Sequence, residues 1–295
     1  MDTQTQSRPA WLKMPFPAGE NYQDLQGLVR NQRLHTVCQS ARCPNIGECW
    51  NHRTATFMIL GDVCTRSCGF CNVATGRPGA VDEDEPERVA EAVAQLDLRY
   101  AVLTSVNRDE LPDGGARIFA ATLRAIRRHL PTCRVEVLIP DFRGDAQALH
   151  TVLEADPCVL NHNVETVPRL YRRVHPQASY QRDLELFARS RAYRPDIPVK
   201  SGFMLGHGED LDECVALMAE LVAAGVSTLT IGQYLRPSPR HLPVVRYWEP
   251  EVFAELAARG RELGFAHVEA GPFVRSSYHA ARQEAAASAT PGPTA

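Results

Sequence analysis

From about residue 55 onward the chain alternates short apolar runs with longer amphipathic stretches. Six runs, at 55–60, 100–106, 134–139, 159–164, 198–205 and 227–235, read as buried strands. Helical spacing marks stretches near 86–97, 116–130, 145–155, 180–193 and 209–224, the first with Val89, Val93 and Leu96 on one face, and a sixth lies at 250–263. Pro86 opens the first of these, and a proline suits an initial helical turn. Repeated strand–helix alternation implies a parallel sheet with right-handed crossovers, as a partial barrel or a doubly wound sheet. Polar residues gather where the strands are expected to finish: Cys64, then Thr104, Ser105 and Asn107, then Asp141, then Asn161 to Glu165, Lys200 and Ser201, and Gln233. Barrel enzymes assemble their active sites on that rim. No Gly-x-Gly-x-x-Gly follows the first strand. The predicted fold is α/β, a partial (β/α)6 TIM-like barrel with N-terminal and C-terminal extensions.

The periodic region, 54–282, is expected to be the catalytic unit. Residues 1–10 and 283–295 are polar or Ala/Pro-rich and are expected to be disordered tails. Between them, 11–53 carries three cysteines, Pro44 and several glycines but little periodicity, which predicts an irregular segment ordered by what it binds. A hydrophobic content of 44% suffices for a sizeable core. Against 35 acidic residues stand 32 basic ones, a net charge of −3 without any basic run, so neither nucleic acid nor an anionic membrane is favoured as a partner. No stretch approaches the ~20 apolar residues of a membrane helix, and residues 1–10 lack a secretory apolar run. These features predict a cytoplasmic enzyme, in a reducing compartment where nine cysteines are not a disulfide framework.

Directly after the first strand stands Cys64-Thr-Arg-Ser-Cys68-Gly-Phe-Cys71. Three thiolates within eight residues can hold three irons of a [4Fe–4S] cube and leave the fourth open. Zinc is the competing ligand, but a structural zinc site uses four protein ligands and no fourth lies nearby in sequence. A second group, Cys38-x4-Cys43-x5-Cys49, lies in the segment without a periodic core, so its thiols are better read as ligands than as packed side chains. Cys133, Cys158 and Cys214 are scattered singly and read as core residues.

The C-x3-C-x2-C spacing with Phe70 before the last cysteine resembles the radical S-adenosylmethionine (SAM) superfamily. With Cys38-x4-Cys43-x5-Cys49, Thr104-Ser-Val-Asn-Arg-Asp-Glu-Leu-Pro-Asp-Gly-Gly115, Asn161-His-Asn-Val-Glu-Thr166, Thr230-Ile-Gly-Gln-Tyr-Leu235 and Arg275-Ser-Ser-Tyr278, the chain resembles the lipoyl synthase family from about Trp11 to Ala280. That resemblance implies two [4Fe–4S] clusters and SAM as cosubstrate, two per product. Cys64, Cys68 and Cys71 would hold the catalytic cluster, whose open iron chelates SAM and whose electron releases a 5′-deoxyadenosyl radical. Cys38, Cys43 and Cys49, with a serine of Arg275–Tyr278, would hold an auxiliary cluster that gives up its sulfur. Ser277 is favoured over Ser276 as that ligand, although spacing alone does not choose between them. Two sulfurs would enter at carbons six and eight of an octanoyl-lysine.

The implied carriers are octanoylated lipoyl domains of 2-oxoacid dehydrogenase complexes and the glycine cleavage carrier protein, with an electron donor such as ferredoxin or flavodoxin. Phe70, Thr104, Ser105, Asn107, Asp109, Asn163 and Glu165 are candidate SAM-binding residues. Lys200, the only lysine besides Lys13, is a candidate partner for the methionine carboxylate or for a cluster. His162 and His207 read as hydrogen-bonded scaffold, because radical hydrogen abstraction needs no general base. The family pattern has a leucine-like residue where this chain has His207. Two other functions fit parts of the pattern: another radical sulfur-inserter or methylthiotransferase, and a non-catalytic iron–sulfur carrier. The carrier would be expected to have a fourth cysteine for each cluster.

Overall fold

A computed structural model describes residues 9–13, 19–32, 34–41, 43–52 and 54–289. In chain order the elements are α1 (Glu20–Asn31), β1 (His35–Thr36), α2 (Val37–Ser40), α3 (Ile46–Asn51), β2 (Ala55–Ile59), β3 (Val63–Cys64), β4 (Ala74–Thr75), α4 (Glu85–Gln95), β5 (Tyr100–Ser105), α5 (Ala116–His129) and β6 (Arg134–Leu138). There follow α6 (Ala146–Glu154), β7 (Val159–Asn161), α7 (Tyr171–Val174), α8 (Tyr180–Tyr193), β8 (Val199–Leu205), α9 (Leu211–Ala223), β9 (Thr228–Gln233), α10 (Pro250–Leu263), β10 (His267–Gly271) and α11 (Ala280–Ala289).

The six expected strands pair in parallel in the order β2-β5-β6-β7-β8-β9, with β10 added in parallel beyond β9 and β1 antiparallel on β2. Since β1 and β10 end the sheet, the barrel stays open between them. Every position of β2 and of β9 is buried, as expected of parallel strands covered on both faces. Helices supply the outer layer through apolar stripes, such as Ile118, Phe119, Leu123 and Ile126 of α5. At the turn into α5, Gly115 has φ +92°, and a Cβ there would stand 2.2 Å from Leu60 Cδ1. Only glycine lets this loop close on the end of β2.

The structure corrects several expectations. Segment 11–53 is not irregular: α1 buries Leu25 and Val29, α3 buries Trp50, and the Tyr22 and Trp50 rings lie 5.3 Å apart. The tail expected from 283 is helical to Ala289, with Gln283 and Glu284 buried. Gln283 donates to the Tyr278 carbonyl at 2.6 Å and Glu284 pairs with Arg134, so polar contacts rather than apolar periodicity order this helix. Residues 1–8 and 290–295 of the expected tails lie outside the described residues. Strand β10 was not legible because only Val268 of its five residues is buried. Lys200 and Ser201 begin β8 rather than end it, which puts them away from the rim.

Candidate metal centres at the barrel mouth

The first cysteine group leaves β2 on a loop tied down at nearly every residue. β3 and β4 bracket it, with Cys64 opposite Thr75. Cys64 Sγ accepts from the backbone N–H groups of Arg66 at 3.4 Å and Asn107 at 3.3 Å. Gly69 N donates to Val174 O at 3.0 Å, while Gly69 O accepts from Leu242 N at 3.0 Å. A Cβ on Gly69 would fall 2.7 Å from Leu242 Cδ1, so any larger residue here would push the Leu242 side chain aside. Arg66, in the spacer between the first two cysteines, is buried and forks onto Asp109 at 2.7 and 2.8 Å and onto Asp141 at 2.6 Å. Arg182 closes the network on Asp141 at 2.8 Å. Paired with these arginines, Asp141 is held well below the usual carboxylate range despite its burial.

The three thiols feel one another. Burial, then the charges of Cys71, Glu165 and Cys64, pushes Cys68 far up, and burial pushes Cys71 up to about 11. Desolvated thiols gathered in this way ionise only when a cation compensates, which an iron–sulfur cluster does.

The second group behaves alike. Cys38 on α2 is raised to about 11 by burial and then by Cys43. Cys49 on α3 is driven far up by burial, then by Cys38 and Cys43. Over this triad lies the segment after β10: Asn45 Nδ2 donates to Phe273 O at 2.7 Å, and Tyr278 OH donates to Glu48 at 3.0 Å. His279 Nε2 sits 3.1 Å from the Glu48 carboxylate, and the Arg275 charge eases the upward shift that burial imposes on Cys43. The two centres touch through Asn72, next to Cys71, whose amide donates to Ser40 O at 2.8 Å. Among the described residues no three His, Cys, Asp or Glu side chains converge on a single ion. A tetrahedral zinc site needs that convergence, whereas thiolates on different irons of a cube stand apart. Each triad offers the three thiols that three irons of a cube take.

The candidate SAM residues divide. Ser105 Oγ and Asn163 Oδ1 are buried without a partner. Glu165 is half-buried with φ +67°, its carboxyl raised by burial to about 7, and its charge is felt at Cys68 and Cys71. A strained, perturbed carboxylate beside the triad has the mark of a functional position. Phe70 lies edge-on to His175 at 6.2 Å and 6.5 Å from His207. By contrast Thr104 Oγ1 is spent on Leu138 O at 2.9 Å. Asn107 serves the loop through its backbone, and the Asp109 carboxylate is occupied by Arg66 and Thr65. Asp109 thus positions the cysteine loop rather than offering a free carboxylate. Arg66 and Arg182 were missed, because an arginine in a spacer or on a helix surface carries no periodic signal, whereas Asp141 was read only as a rim residue and Arg275 only as part of a motif.

Asn163 Nδ2 donates to Ser276 Oγ at 2.6 Å, joining the barrel rim to the C-terminal segment. The Ser277 hydroxyl, half-buried, has no hydrogen-bond partner among the described residues. His207 is buried and stacks on Tyr234 at 4.3 Å, both ring nitrogens unpartnered. His162 is scaffold, bonded to Ile139 O at 2.9 Å and facing Asp183 at 3.1 Å. Cys214 is buried in the core.

Lys200 needs correction. Its Nζ lies 2.9 Å from Glu136 Oε1, both side chains 1% exposed, and Glu136 also accepts from Tyr100 at 3.0 Å and Asn161 at 2.9 Å. The amine is committed to a dry interior network and does not reach a substrate carboxylate. Lys200→Met should cost about 3–5 kcal/mol, since it strands a buried carboxylate. Adding Glu136→Gln should return most of that loss. Denaturation midpoints of the metal-free proteins check both, and an unshifted midpoint for Lys200→Met would rule the network out as a stabilising element.

Comparison with known proteins agrees with this geometry. The profile of the Radical SAM superfamily matches residues 58–221, and that of the N-terminal domain of lipoyl synthase matches 1–43. Lipoyl synthase of Rubrobacter xylanophilus is 60% identical over 276 residues, covering 94% of this chain and 86% of that protein. Lipoyl synthase of Thermus thermophilus is 58% identical over 278 residues, with the same coverage. Among solved structures, methylornithine synthase PylB superposes with TM-score 0.55 at 14% identity over 81% of this chain and 72% of PylB. HydG, a maturase of the [FeFe]-hydrogenase, does so with TM-score 0.54 at 15% identity over 90% and 65%. These two share the fold alone. With identities near 60% across most of both chains, the protein belongs to the lipoyl synthase family of the radical SAM superfamily.

Proposed function

We propose that this sulfurtransferase inserts two sulfur atoms at carbons six and eight of an octanoyl chain held on a lysine of a lipoyl domain. The observation that carries the reading is the pairing of two cysteine triads across one barrel mouth, the second roofed by Arg275–Tyr278. When bound, the first cluster and SAM supply hydrogen abstraction, and the auxiliary cluster supplies sulfur.

Cys64, Cys68 and Cys71 would hold the first cluster, with Arg66, Asp109 and Asp141 fixing their loop. Ser105, Asn163 and Glu165 are the polar groups left to orient SAM. Cys38, Cys43 and Cys49 would hold the second cluster. Asn163 donates to the Ser276 hydroxyl, which favours Ser277 as the fourth ligand; a hard alkoxide binds such irons less well than a thiolate and suits a cluster that must come apart. Residues 11–53 then serve the auxiliary cluster and 54–282 the radical chemistry. Octanoylated lipoyl domains of 2-oxoacid dehydrogenase complexes and of the glycine cleavage carrier are the substrates, and a ferredoxin or flavodoxin the reductant. A reducing cytoplasm is the compartment that suits cysteines spent on clusters rather than on disulfides, and among the described residues no helix is long and apolar enough to cross a membrane.

An octanoyl-lysyl peptide incubated anaerobically with reconstituted enzyme, SAM and reductant should gain two sulfur atoms by mass spectrometry. Unchanged peptide alongside robust SAM cleavage would assign the chain to a different radical sulfur-inserter.

A further inference from the structure

The Asn107 segment, whose Asp109 and Glu110 are paired with Arg66 and Arg108, takes a hydrogen bond from Thr65 N at 3.1 Å, and three further segments hydrogen-bond to the backbone of the 64–71 loop. Gly76 N donates to Cys64 O at 2.9 Å, Gly69 N to Val174 O at 3.0 Å, and Leu242 N to Gly69 O at 3.0 Å, while His241 Nε2 lies 2.9 Å from Cys71 O. Over 72–81, 171–182 and 234–248 these segments contain no Asp or Glu. Besides Arg182, which pairs with Asp141 at 2.8 Å, they carry Arg77, Arg172, Arg173, Arg236, Arg240 and Arg246, which are exposed or half-buried, and among the described residues none of these six pairs with a carboxylate. Two have other partners: Arg236 is bonded to backbone carbonyls, and Arg246 lies over the Trp248 ring at 3.8 Å.

Elsewhere many surface arginines, such as Arg88, Arg117, Arg169 and Arg194, meet acids at 2.6–2.7 Å. The whole chain is net −3, so this cationic face is a local concentration that the composition does not explain. Clustered unpaired positive charge steers an acidic partner and sets its orientation.

We propose that the arginine-rich face around the 64–71 loop is the docking surface for a small acidic protein that delivers one electron. The inference rests on reading 64–71 as the site of the redox cluster. In the step, the carrier is oxidised by one electron and the cluster is reduced by one, with no atom transferred. The segments that meet the carrier are one hydrogen bond from the backbone bearing the thiolates.

The test uses holoenzyme with both clusters, unaltered and as Arg172→Glu/Arg240→Glu, with reduced flavodoxin or dithionite as reductant. Cluster reduction is followed by low-temperature electron paramagnetic resonance and by 5′-deoxyadenosine release. With flavodoxin the variant should be slower by about tenfold to a hundredfold at low salt, and the unaltered enzyme should slow as salt rises. With dithionite the two proteins should agree within about twofold, since a small reductant needs no docking surface. Equal flavodoxin rates overturn the proposal. So does a raised KM for an octanoylated lipoyl domain with flavodoxin dependence unchanged, which gives the face to the acyl carrier. Absence of any reducible cluster signal in the unaltered protein, with dithionite included, would instead overturn the cluster reading beneath it.

Discussion

Replacing Cys68 by alanine should bring 5′-deoxyadenosine formation down to the level of a reaction without enzyme, while the protein stays folded. Cys68 is the middle thiol of the triad, with both Cys64 and Cys71 close enough for their charges to raise it. With two thiolates a cube loses its third anchor, and no neighbour replaces it: the nearby Glu165 is half-buried and bonded to Asn163 at 3.2 Å, and the Asp109 carboxylate is held by Arg66. The fold does not depend on this thiol, because the loop is fixed by Gly69, Arg66 and Thr65 through bonds to other segments. The measurement is anaerobic SAM cleavage with dithionite, alongside iron content and circular dichroism. Iron should fall from about eight to about four per chain. Normal 5′-deoxyadenosine production by a folded Cys68→Ala protein would sink the assignment of the catalytic cluster.

What could be read before the structure was the chemistry that depends on spacing. A thiolate triad within eight residues needs no fold to be recognised, and the strand–helix alternation from residue 55 places it after the first strand. The sequence was blind to direction and to partners. Lys200 looked like a rim cation because an apolar run has no visible polarity; the strand begins at Val199, so Lys200 stands near its start and meets Glu136. Asp109 looked like a ligand for SAM because its partner, Arg66, is 43 residues away in sequence and appeared to be a mere spacer. β10 and α11 were missed for a related reason: both are held by pairing and by single polar contacts, such as Glu284 to Arg134, not by an apolar stripe. Periodicity reports burial, and elements ordered by hydrogen bonds leave little periodicity.

Changing Cys38, Cys43 and Cys49 together to alanine should separate the two halves of the reaction. Such a protein should retain about four irons and cleave SAM, yet leave an octanoyl-lysyl peptide without sulfur. The separation is expected because the first triad is positioned by Arg66, Asp109 and Asp141 from within the barrel, independently of the segment that bears the second. Ser277→Ala probes the same centre more finely. Removing its hydroxyl leaves the three thiolates in place, so cluster content should drop little, while lipoylation should fall far more than for Ser276→Ala, which loses only a bond to Asn163. Iron analysis and Mössbauer spectra follow the cluster, and mass spectrometry of the peptide follows the product. If the triple variant still holds about eight irons, the second centre is not where these cysteines are; if Ser276→Ala is the more damaging serine change, the fourth ligand is Ser276, and the contact with Asn163 must open when the cluster binds.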